Sequence, residues 1–82
     1  MDAFLKTLKA VAEPTRLRLM VLCASGEFTV SELVHILGQS QPRVSRHLKL
    51  LCDAGVLQKL REGSWMFYRF APEKAAAEIA EN

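Results

Sequence analysis

Between Ser40 and Lys49 the chain interleaves serine, glutamine, arginine and lysine with regularly spaced apolar residues. Serine and glutamine can bond base edges or phosphate oxygens, and arginine can grip guanine O6 and N7 with two parallel bonds. On a wheel of about 100° per residue, Val44, Leu48 and Leu51 share one face with His47 at its edge. Pro42, Ser45, Arg46 and Lys49 fall opposite. This reading assigns Gln41, Ser45 and Arg46 to base edges, and Ser40, Arg43 and Lys49 mainly to phosphate, with Pro42 in the same outward turn. Any amphipathic helix shows polar residues to water, so the argument rests on the set and not on one member.

Charge supports the set. From Gln39 to Arg69, six basic residues stand against Asp53 and Glu62, whereas the rest of this +2 chain is net acidic. One continuous basic stretch is the footprint expected of a polyanion-binding face. Catalytic chemistry finds no comparable set, since no acid pair or metal cluster is recognisable. Ser45 and His47 lie two apart on a helix and point to different faces. No cofactor is expected.

These residues need elements to hold them. Phe4, Leu5, Leu8 and Val11 recur at helical spacing with Asp2 placed to cap them, predicting a first helix over about Ala3 to Ala12. Glu13-Pro14 breaks it, and Pro14 opens a second, central and buried helix that stops at Gly26. Thr29 and Glu32 have capping-box spacing before a short third helix ending at Gly38. Ser40 can cap a fourth, with Pro42 tolerated in its first turn, running on to Gly55. Two helices joined by a tight glycine-containing turn make a helix-turn-helix. From Val56 the period changes to two: Leu57, Lys59 and Arg61 alternate with Gln58 and Leu60, Glu62-Gly63-Ser64 turns, and Trp65 to Phe70 returns. Lys59, Arg61 and Arg69, with Gly63 and Ser64 at the tip, form a basic projection able to follow a DNA backbone. Met66, Tyr68 and Phe70 read as core, and Trp65 as core or dimer packing in preference to stacking on a sugar or base. Pro72 starts an alanine-rich helix. The predicted fold is mainly α with a small β-hairpin, a winged helix-turn-helix of order α-α-α-α-β-β with a partial C-terminal helix, as one domain over 1–82.

The run Gln39 to Leu51, with Ala54-Gly55-Val56-Leu57 behind it, resembles the recognition helix of ArsR-like (ArsR/SmtB type) repressors. Glu13-Pro14-Thr15-Arg16-Leu17 resembles the opening of their second helix, and Arg61-Glu62-Gly63 with Tyr68-Arg69-Phe70 resembles their wing. The likeness covers about residues 5 to 70, three elements agreeing in order and spacing. It implies a transcriptional repressor that binds a partly palindromic double-stranded DNA operator as a homodimer and lets go when an inducer is sensed. It also implies a dimer held by the first and last helices, through Phe4, Leu5, Leu8 and the tail from Pro72.

The chain departs from the family in two places. Metal-sensing members carry paired cysteines near the start of the third helix, or histidines and carboxylates on the last. Here the third helix reads Val30-Ser31-Glu32-Leu33-Val34-His35 and the tail has no histidine, so neither metal site carries over. Cys23 and Cys52 read as buried thiols, in a chain whose termini show no secretion signal and whose longest apolar run is far short of the roughly 20 residues of a membrane span. That pattern reads as cytoplasmic. Pro72 to Asn82 is also shorter and less apolar than a full dimerisation helix, pointing to the N-terminal part of a longer protein.

Some proteins with this recognition helix carry a methyltransferase domain behind it. The alternative reading is therefore a DNA-binding or docking regulatory domain of a larger enzyme. A docking face should be apolar at its centre, and this one is not. RNA binding would call for an aromatic stacking platform, whereas these aromatics lie in core-like strand positions.

Overall fold

The computed structural model describes residues 2–73. Four helices and three short strands follow in the order α1 (Asp2–Val11), α2 (Pro14–Ser25), β1 (Phe28–Thr29), α3 (Val30–Leu37), α4 (Gln41–Asp53), β2 (Leu57–Glu62) and β3 (Trp65–Phe70). The sheet is antiparallel, in the order β1-β3-β2. The fold is a winged helix-turn-helix.

Local chemistry explains most boundaries. At the start of α2 the Glu13 carboxylate accepts the Arg16 amide at 2.9 Å while Pro14 occupies the first turn, where a missing N–H costs nothing. Thr29 and Glu32 form the expected capping box on α3. Gly38 ends that helix at φ 67°, left-handed, with its N–H on the Val34 carbonyl. This is the backbone angle that makes the turn into α4 tight, and a side chain there would be strained. Gly63 at the wing tip is another such position, at φ 64°. Ser40 precedes α4 in extended conformation, but its hydroxyl makes no capping bond. Pro42 removes one of the amides such a cap would bond, and the Ser40 hydroxyl stays at the surface.

Leu19, Leu33, Val44, Leu48, Leu51, Val56 and Leu57 are the largest fully buried side chains. Each contributes roughly 1.5–3 kcal/mol by leaving water. They come from α2, α3, α4, the connection after α4 and the first residue of β2, so the inner face of α4 forms the middle of the core. The wheel placement of Val44, Leu48 and Leu51 holds.

Four expectations change. The wing has a third strand, β1, whose two residues are too short to leave a periodic signal; Phe28 and Thr29 pair with Tyr68 and Phe67. The first helix begins at Asp2, which sits in its first turn instead of capping it. Although α2 packs against α1, α4 and β3, it is not buried all round: Leu19 and Cys23 are buried, while Leu17 and Val21 are exposed. Finally, Cys23 is buried but Cys52 is only half-buried, at the outer side of the core. The helix expected from Pro72 lies, after Glu73, outside the described residues.

Candidate nucleic-acid interface

The outward side of α4 carries the predicted set together. Ser40, Gln41, Pro42, Arg43, Ser45, Arg46 and Lys49 are all exposed, while Val44, Leu48 and Leu51 on the same helix are sealed from solvent. The 3.6-residue period produces that division. Among the described residues, the Arg43 and Arg46 side chains make no hydrogen bond or ion pair, leaving both guanidinium forks available. Lys49 differs: its Nζ holds Asp53 Oδ2 at 3.0 Å, one turn along the helix. That bond holds the Asp53 carboxyl below the usual carboxylate range. An exposed, solvent-screened pair of this kind contributes little to stability, so a phosphate can compete for the lysine.

The wing flanks this face. On β2, Leu57, Lys59 and Arg61 share one face: Leu57 is buried at the core end, while Lys59 and Arg61, opposite Tyr68 and Met66 of β3, lie farther along the hairpin where the core ends and are exposed. Gly63 and Ser64 stand exposed at the tip. Between α4 and the wing runs a groove of about 390 Å³ lined by Ser45, Lys49, Cys52, Asp53, Lys59 and Tyr68. The groove joins the basic residues of helix and hairpin into one surface.

Two wing residues are placed otherwise than expected. Arg69 does not project: its Nε and Nη2 both donate to Gln58 Oε1, at 3.1 and 2.8 Å, across the hairpin. Gln58 and Arg69 are register partners on one face, and that face of the sheet holds the guanidinium half-buried. Trp65 is not core. It is 62% exposed, because β3 alternation turns Tyr68 and Phe70 toward the core and leaves Trp65 and Phe67 on the other side. There, with Thr29, Ser31 and Glu32, they line a shallow apolar groove of about 370 Å³.

His35 is exposed, and His47 packs inward with its side chain 14% exposed. Its role escaped the sequence reading, because its partners, Glu13 and Arg16, lie 34 and 31 residues earlier in the chain. The Glu13 carboxyl is held below its usual range, chiefly by the bond from the Arg16 amide and then, against the opposing effect of burial, by the nearby charges. Cys23 presents a further contrast: burial, reinforced by Cys52, pushes its thiol up to about 11. A thiol so protonated is a poor nucleophile and metal ligand. Among the described residues no group of three His, Cys, Asp or Glu side chains could hold a metal ion.

A helix-turn-helix with an exposed basic second helix and a basic wing defines a winged-helix protein of the nucleic-acid-binding class. Residues 13–59 match the family model of the bacterial regulatory proteins of the arsR family, and the chain belongs to that family. It is 48% identical over 66 residues to an arsenic resistance transcriptional regulator of Pseudomonas putida, covering 79% of this chain and 52% of that protein. It is 43% identical over 65 residues to the arsenical resistance operon repressor of Escherichia coli, covering 78% and 56%. The chain spans about half the length of the curated relatives it matches. Among solved structures, it is similar to a homodimeric winged helix-turn-helix DNA-binding domain, fragment 1–100 of a possible ArsR-family regulator from Mycobacterium bovis. The TM-score is 0.83 and the identity 31%, with 98% of this chain and 74% of that one covered. The transcriptional repressor BigR from Xylella fastidiosa gives a TM-score of 0.77 at 32% identity, covering 98% and 82%.

Proposed function

We propose that the chain is a sequence-specific double-stranded DNA-binding domain acting in the cytoplasm as half of a symmetric transcriptional repressor, released from a partly palindromic operator by an inducer. The observation that carries this reading is the outer face of α4, where Arg43 and Arg46 stand exposed beside Gln41 and Ser45 without a partner among the described residues. Gln41, Ser45 and Arg46 read base edges. Ser40, Arg43 and Lys49 hold phosphates, Pro42 lies against the same groove, and Lys59 and Arg61 with the Gly63-Ser64 tip follow the backbone beside it. Phe4, Leu5 and Leu8, 41–46% exposed on α1, are proposed as the dimer contact. Two points support the dimer: apolar side chains in a row on one helix face, and the homodimeric description of the Mycobacterium bovis relative. Two-fold symmetry would present two copies of α4 to successive major grooves about one turn apart.

The test is selection of bound duplexes from a random pool, with the salt dependence of binding recorded. Enrichment of an inverted repeat, with affinity falling steeply as salt rises, is the expected result. A folded protein that enriches nothing overturns the reading in favour of a docking domain.

A further inference from the structure

One side chain ties the reading helix to the rest of the domain. Arg16, in the first turn of α2, donates Nη1 to His47 Nδ1 at 3.1 Å, Nε to the Ala10 carbonyl, and Nη2 to the Lys9 carbonyl at 3.4 Å. Lys9 and Ala10 lie in the last turn of α1, where carbonyls have no partner within the helix. A guanidinium can only donate, so His47 Nδ1 must be unprotonated and the ring proton sits on Nε2. That nitrogen faces Glu13 Oε2 at 3.9 Å. The neighbouring Thr15 adds a second tie, its Oγ1 accepting from Gln39 Nε2 at 3.1 Å just before α4 begins. The first turn of α2 thus holds α4 at its entrance and at its inner edge.

We propose that Arg16 is the positioning residue of the recognition helix, locking the angle of α4 to the end of α1 through His47. The physical ground is a division of labour within α4. Val44, Leu48 and Leu51 draw the helix into the core, but apolar burial is non-directional and leaves rotation about the helix axis loosely specified. Hydrogen bonds are directional, and the bond to His47 acts one residue from Arg46. A few degrees of rotation there carries the Arg46 fork off its base edge. The same fork grips α1, whose apolar residues are the proposed dimer contact, so Arg16 also sets how the two copies of α4 are spaced. The inference rests on the DNA-binding reading above.

The experiment compares the wild-type chain with H47N, H47Q, R16K and the double variant R16K/H47Q. Operator and random duplexes are titrated side by side, with thermal unfolding of each protein. Asparagine keeps an acceptor near the position of Nδ1; glutamine carries its amide to that of Nε2. H47N should keep the wild-type preference for operator within about twofold, while H47Q and R16K each lose about tenfold in preference, the scale of one hydrogen bond to a charged group. Affinity for random duplex should stay unchanged, and the double variant should lose no more than R16K alone, because R16K already breaks the bond that H47Q removes. A selective wild type whose H47Q and R16K variants remain as selective overturns this inference alone. So does equal loss on both duplexes, or additive loss in the double variant, which would mark Arg16 as a structural staple. A wild type without preference for any duplex overturns the DNA-binding reading, and this inference with it.

Discussion

Two surfaces of this domain are left open, and they are open in different ways. The face made by α4 and the wing exposes mainly charge: Arg43, Arg46, Lys59 and Arg61 stand in solvent above the sealed Val44, Leu48 and Leu51, although Leu50 and Trp65 of the same elements are exposed too. The face made by α1 and α2 exposes area: Phe4, Leu5 and Leu8, with Leu17 and Val21 on the neighbouring helix. Charge in water is comfortable and awaits a polyanion at no cost to the fold, whereas a row of exposed apolar side chains is stabilised only by being covered. The first surface is therefore separable from stability, whereas in the proposed dimer the second would tie the state of the domain to the concentration of its partner copy.

Substitutions can break this contrast. The largest effect is expected on the apolar side. Leu5→Asp with Leu8→Asp should weaken self-association by about 3 kcal/mol or more, the scale of the apolar burial lost, read as a shift from dimer to monomer in sedimentation. A double variant that still sediments as a dimer would move the interface off α1. On the charged side, Arg46→Ala should remove about 1–3 kcal/mol of discrimination between operator and mutated operator, leaving thermal stability and much of the random-duplex binding in place. Unchanged discrimination would take Arg46 out of the base-reading set. Smaller again is Lys59→Ala: binding should weaken alike on all duplexes, and the slope of log affinity against log salt should fall by about 0.9. A change in sequence preference would instead mean that the wing reads bases.

The smallest effect is a pH dependence. The folded Glu13 carboxyl titrates below its ordinary value of 4.5, so its stabilisation is present above that value and is lost as pH falls through the lowered folded one. Glu13→Gln should therefore lower thermal stability slightly in the neutral range, where the charged carboxyl contributes, and flatten the acid limb so that variant and wild type converge as pH falls below about 4.5. An acid limb identical to that of the wild type would remove Glu13 as its source. Asp53, lowered by Lys49, contributes in the same direction, so the limb should be reduced and not abolished.

Much of the geometry of the candidate face was legible in the sequence because its signals are local. A helix period of 3.6 residues separates Val44, Leu48 and Leu51 from Ser45, Arg46 and Lys49 without knowledge of anything they touch. Thr29 and Glu32, or Gly38 in its left-handed turn, satisfy backbone groups within four residues and so announce themselves in the chain. The failures share the opposite property. Trp65 and Tyr68 are both aromatic residues of one strand, and only the side on which the core lies decides which of them is covered. Arg69 counts as free charge in the sequence, yet in the sheet it meets Gln58, eleven residues back.

The sequence by itself determined the element order, the two-faced character of the reading helix and the location of the basic stretch, because each follows from spacing and residue type over one or two turns. Only the tertiary structure decided which cations remain available for a partner, which aromatic residues are sealed, and that Arg16 joins α1, α2 and α4 at His47. Those outcomes depend on side chains brought together from distant positions, and no periodicity in the chain encodes a meeting across 31 residues.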